Sequence, residues 1–152
     1  LPDDGDAQAN LPPGAYQLSL LLTPAGEPAP RETNAIPLLL GTRPMIAASG
    51  PPLNLPAISI VRSTSPARVR VTLASQPRVR PQQRAVLMLG SQQCTANART
   101  AATDPLVFDY PAALPADTYP LRLRVDGVDS ELVVIAEGQA PVFDPAMRVT
   151  VP

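Results

Sequence analysis

The residues of this chain that could do chemistry are twelve arginines, thirteen carboxylates, three tyrosines and one cysteine, Cys94. Histidine and lysine are both absent. A nucleophilic triad needs a base, so Ser–His, Cys–His and Ser–Lys arrangements are excluded within the chain. A His- or Cys-rich metal site is excluded for want of ligands, and there is no Gly-rich phosphate loop. Paired carboxylates stay open, with Asp104 and Asp109, or Asp126 and Asp129, close in sequence. Asp126 is better explained by a turn with Gly127, and Asp129 by a charge partner in Arg124. Asp3, Asp4 and Asp6 could hold a hard cation, but without further fixed oxygens they fit a solvated acidic end. Cys94 stands beside Gln92, Gln93 and Thr95, none of which would lower its pKa, so a small space-filling role fits it better than a reactive thiol. The sequence predicts no catalytic residue, no metal and no cofactor, and indicates no small-molecule ligand.

The arginines are unevenly spread. No acid occurs between Glu32 and Asp104, a stretch with a net charge of +8, whereas residues 1–32 sum to −4 and 104–152 to −5. Arg62, Arg68, Arg70, Arg78, Arg80 and Arg84 are half of the arginines and form a candidate interaction patch. Nucleic-acid binding would need that basic face left uncompensated. A strand at 67–73 lying beside one at 106–110 would bring Asp109 to Arg68 or Arg70 and cancel much of the charge. Protein partners are therefore expected ahead of nucleic acid.

The elements that must position these groups announce themselves through a repeat. Leu11-Pro-Pro-Gly-Ala-Tyr-Gln-Leu-Ser-Leu20 returns 103 positions later as Leu114-Pro-Ala-Asp-Thr-Tyr-Pro-Leu-Arg-Leu123. A turn delivers Tyr16 or Tyr119, and then every second residue is apolar. That is a half-buried strand entered through a corner, with the tyrosine hydroxyl tying down the turn. A period of about 100 residues matches one immunoglobulin-like sandwich of roughly seven strands. The predicted fold is all-β and antiparallel. Residues 1–45 would hold the last strand pair of a truncated module plus a linker, and 46–152 a complete sandwich. On this expectation the chain is the C-terminal part of a longer protein. The 21 prolines disfavour helices, and the 45% apolar content argues against disorder. One cysteine permits no internal disulfide. No signal peptide or transmembrane stretch is visible.

Alternation predicts inward Val69, Val71 and Leu73, then Leu106, Phe108 and Tyr110, then Met147, Val149 and Val151. A first strand of the module is predicted at Ala57–Val61 and a nearly continuous apolar one at Arg84–Leu89. Strands Thr118–Val125 and Val128–Ile135 should flank Asp126-Gly127 as a type I′ turn. That register sets Val125 against Val128, Arg124 against Asp129, Leu123 against Ser130 and Arg122 against Glu131. The earlier pair, 15–22 with 33–40, is marginal alone. It is expected to be completed by preceding chain, a neighbouring subunit or the 46–152 module.

With the strands placed, an ordered set of motifs stands out. These are Pro12-x-x-x-Tyr16, Thr33-Asn-Ala-Ile-Pro-Leu38, Val79-Arg-Pro-x-Gln83, Leu87-Met-Leu-Gly90 and Leu123-Arg-Val-Asp-Gly-Val-Asp-Ser130, with the ending Val142-Phe-Asp-Pro145 and Arg148-Val-Thr-Val-Pro152. The set resembles the C-terminal immunoglobulin-like region of the cap, or tail-terminator, proteins of extracellular contractile injection systems, which are phage-tail-like particles. The resemblance implies a non-enzymatic structural module that contacts other protein subunits, by self-association in a ring or against sheath or tube proteins. It also implies cytoplasmic assembly followed by residence in a particle that can be released. The alternative from another class is a bacterial immunoglobulin-like binding module of an adhesin or carbohydrate-active protein, which would display exposed aromatics in a groove.

Overall fold

The computed structural model describes residues 11–50 and 54–152, and every regular element among them is a β-strand. No helix among the described residues is long and apolar enough to cross a membrane. The acidic end at Asp3, Asp4 and Asp6 lies outside the described residues.

The chain opens on a hairpin in which β1 (Gly14–Leu18) and β2 (Leu21–Leu22) run out, and β3 (Arg31–Glu32) and β4 (Ile36–Leu40) run back. Tyr16 lies opposite Leu38 and Leu22 opposite Arg31. The register slips between the two pairs, where the Leu20 N–H donates to Thr33 Oγ1 at 2.9 Å. The strand expected over 15–22 is therefore broken once, and the one expected over 33–40 begins only at Ile36.

After a two-residue link come β5 (Arg43–Pro44), β6 (Ser59–Thr64), β7 (Ala67–Leu73), β8 (Ser75–Gln76), β9 (Ala85–Leu89), β10 (Gln92–Thr95), β11 (Leu106–Pro111), β12 (Asp117–Val125), β13 (Val128–Asp129), β14 (Val133–Val134), β15 (Val142–Phe143) and β16 (Arg148–Val151). One sheet has the order β11-β7-β6. The other has the order β10-β9-β12, with β13 and β16 sharing the far edge of β12. All pairings are antiparallel. Alternate residues point to opposite faces of a strand, so Val69, Val71, Phe108 and Tyr110 of one sheet meet Leu87, Leu89, Leu121 and Leu123 of the other in one buried core. Each such large side chain contributes roughly 1.5–3 kcal/mol on burial. The molecule is an antiparallel β-sandwich with the first hairpin attached.

The core includes one polar tie. The Tyr110 hydroxyl donates to the Leu87 carbonyl at 2.6 Å, from one sheet to the other. Burial pushes the phenol far above its ordinary range, so it stays a donor. Both corner tyrosines act alike. Tyr16 donates to the Pro12 carbonyl and Tyr119 to the Pro115 carbonyl, each four residues back. The sequence repeat is thus a repeat of geometry.

The turn falls where the spacing places it. Asp126 and Gly127 have φ of 47° and 87°, Arg124 faces Asp129, and Val125 faces Val128. The strand expected over Val128–Ile135 does not continue, however. Ser130 still bonds Leu123 through its N–H at 2.7 Å and its Oγ at 3.0 Å. The chain then leaves the sheet, forms the β14–β15 hairpin and returns as β16 against the first half of β12. There β16 turns Val149 and Val151 inward and Arg148 and Thr150 outward, while Val133 and Ile135 stay exposed. The Arg122–Glu131 pair expected from the register is therefore not formed. Arg122 lies opposite Met88, and its guanidinium reaches Asp129 Oδ2 at 3.2 Å. Its Nε is buried without a partner, and Glu131 is exposed.

Candidate functional site

The arginines expected to form a patch are largely absorbed by the fold. Arg62 donates to three carbonyl oxygens, those of Pro152, Ala112 and Leu114, at 2.7–2.8 Å. This ties β6 to the chain end and to the second corner. Arg70 forks onto Asp109 at 2.8 and 2.9 Å, and Arg68 stands 3.5 Å from the same carboxylate. The guanidinium of Arg70, with an Asn97 amide at 3.0 Å, holds Asp109 well below the usual carboxylate range. Arg80 is engaged within the chain. The side chains of Arg78 and Arg84 have no hydrogen-bond or ionic partner among the described residues. The six do not act together.

Two smaller candidates are also spent. Asp104 accepts from the Ala101 and Thr100 amides and the Thr100 hydroxyl, which lower its pKa. It borders a recess of only about 100 Å³ under Arg99. Cys94 packs against the core, and burial pushes its thiol up. No cluster of three or more metal-ligating side chains occurs among the described residues.

The larger feature is a groove of about 940 Å³ between two hairpins. Leu39 and Leu40 of β4 form one wall, and Val133, Val134 and Ile135 form the other. Its polar lining includes Asp129, Glu131 and Arg43. Asp129 is committed: Arg124 grips it at 2.6 and 2.9 Å and lowers its pKa, with Arg122 beside it. Glu131 and Arg43 are exposed, and their side chains have no hydrogen-bond or ionic partner among the described residues. Apolar exposure continues past the groove on both hairpins, at Leu20, Leu21, Ile36, Val142 and Phe143.

The sandwich holds the base of the first hairpin in place. Gln83 donates to the Pro13 carbonyl at 2.6 Å and to the turn carboxylate of Asp126 at 2.9 Å. Asp126 also accepts the Arg84 N–H at 2.9 Å. The buried Thr42 hydroxyl donates to the Pro77 carbonyl at 2.7 Å. Asp126 and Gln83 thus couple the two units. The sequence assigns Asp126 to its turn alone, since no spacing links Pro13, Gln83 and Asp126. Among the described residues, the sandwich adds no strand to the hairpin. Of the three completions expected for it, the one by the 46–152 module is not formed among the described residues.

What this geometry can do is present apolar and backbone surface to another polypeptide. The family model described as a domain of unknown function, DUF8756, matches residues 44–150, which is more than half of the chain. No curated protein and no solved structure matches the chain.

Proposed function

The chain belongs to the DUF8756 family, and from that premise we propose that it is a non-enzymatic, immunoglobulin-like contact module in the cap of a phage-tail-like contractile injection particle. Its partners are protein subunits of that particle: sheath, tube or neighbouring caps. The module is assembled in the cytoplasm and stays with the particle. The observation that carries the contact role is the pair of apolar hairpins flanking the 940 Å³ groove. Grouped exposed apolar residues of this kind mark association sites in soluble proteins. The ordered motifs from Pro12 to Pro152 support the particle assignment. The rival, a binding module for glycans, lacks its expected support, since Phe143 is the one aromatic among the exposed large apolar residues described.

The test is co-expression with the tube and sheath subunits of the same particle, followed by sedimentation. The expected result is that the chain co-sediments with particle ends, and that Ile135→Asp with Phe143→Asp reduces this without unfolding the sandwich. Both residues are exposed, so the core is untouched. A chain that stays in the soluble fraction, apart from assembled particles, would overturn the proposal.

A further inference from the structure

Leu18, Leu20 and Leu22 follow Tyr16 at the intervals at which Leu121, Leu123 and Val125 follow Tyr119. The two tyrosines also stand at the same point of their strand pairs, Tyr16 opposite Leu38 of β4 and Tyr119 opposite Val149 of β16. Each donates to the proline carbonyl four residues back. The first hairpin is therefore the structural counterpart of β12 with β16. Their burial is opposite. Leu121, Leu123 and Val125 are 0% exposed, whereas Leu18, Leu20 and Leu22 are 48%, 59% and 53% exposed.

What buries the second set can be named. Strand β9 adds antiparallel to one edge of β12, with Leu89 opposite Leu121 and Leu87 opposite Leu123. The sheet of β7 and β11 then packs on the face with Val69, Val71 and Phe108. Among the described residues, the edge and face of β1 have neither. Two occupants fail on simple grounds. Residues 1–10 are too few to supply both an added strand and a facing sheet. Two copies stacked hairpin on hairpin would bury too little. Nine residues of paired strand span about 30 Å by about 10 Å, or about 300 Å², against about 800 Å² per partner in a stable interface.

We propose that the 14–40 hairpin is the closing strand pair of a second β-sandwich, and that its occupant is a sister half-sandwich of the kind formed by β6 to β11. One strand of the occupant adds antiparallel to the outer edge of β1 and places apolar residues opposite Leu18 and Leu20. A facing sheet covers the same side. Backbone hydrogen bonds of strand addition supply affinity, and the alternate leucines supply register. The inference stands independently of the particle assignment.

The test joins residues 46–113, which precede the second corner, directly ahead of Leu11 in the chain 11–152. Amide hydrogen exchange at 15–18 and at Ile36, Leu38 and Leu39 is the readout. The expected result is slowing by ~100-fold relative to chain 1–152, toward the behaviour of core strands, and its loss in Leu18→Asp with Leu20→Asp. A second probe serves if the joined protein does not fold. A peptide of residues 84–92, titrated into chain 1–152, should slow exchange at 15–18. No slowing with either probe overturns the proposal. So does a 1–152 dimer that protects those amides by itself, because the occupant would then be a second copy.

Discussion

A Cβ built on Gly41 would stand 2.7 Å from the carbonyl oxygen of Asp129. Gly41 follows β4, and Asp129 closes the turn of the sandwich, so the first hairpin is seated by backbone against backbone. Gly41→Ala must push one of them away. The expected cost is about 1–3 kcal/mol, as for other overpacked sites. Urea unfolding of the variant checks this, and an unchanged midpoint would show that the seat is loose.

Gly127→Val should also destabilise the fold, for a different reason. Nothing lies within 4 Å of its Cβ position, but its φ is +87°. The cost is backbone strain alone, about 1–3 kcal/mol, and a β-branched residue bears it worst. Gly127→Asn should recover part of the loss, because Asn visits this region more readily. Thermal melts of the two variants compare them directly. Equal midpoints would contradict the turn as the cause.

Removal of the Tyr110 hydroxyl tests the polar tie between the sheets. Tyr110→Phe leaves packing intact and removes the 2.6 Å bond to Leu87. A loss of about 0.5–1.5 kcal/mol is expected. Tyr119→Phe should cost less, because its bond to Pro115 is exposed to water that can replace it. The reverse order in chemical denaturation would count against the core bond.

Acid should weaken the sandwich in a defined window. Asp109 and Asp129 are both held below the ordinary carboxylate pKa, Asp109 first by Arg70 and Asp129 first by Arg124. A depressed folded pKa gives stability that is fully present above the unfolded value of about 3.9 and is lost as pH falls through the folded value. Melting temperature should therefore hold steady above about pH 5 and decline below about pH 4. Asp109→Asn should lower the midpoint at neutral pH and flatten the acid decline. An acid slope as steep as in the parent would refute the assignment to Asp109.

Much of the sandwich was legible because strand patterns are local. Val69, Val71 and Leu73 announce their face by spacing alone, and Asp126-Gly127 announces its turn, as both are set by residues adjacent in the chain. The pairing of 67–73 with 106–110 was also within reach, since Asp109 had to answer the arginines. Other features were contests between distant segments. Residues 131–135 and 147–151 both compete for the far edge of β12, and burial across the whole sheet decides for the second, which removes Glu131 from Arg122. Arg62 finds three carbonyls more than forty positions away. The groove joins Leu39 to Val134, which no spacing links. The sequence by itself determined which residues alternate, where the corners and the turn fall, and which chemistry is excluded. Only the tertiary structure decided which charges pair and which apolar faces stay open, because those depend on what else in the molecule can reach the same edge.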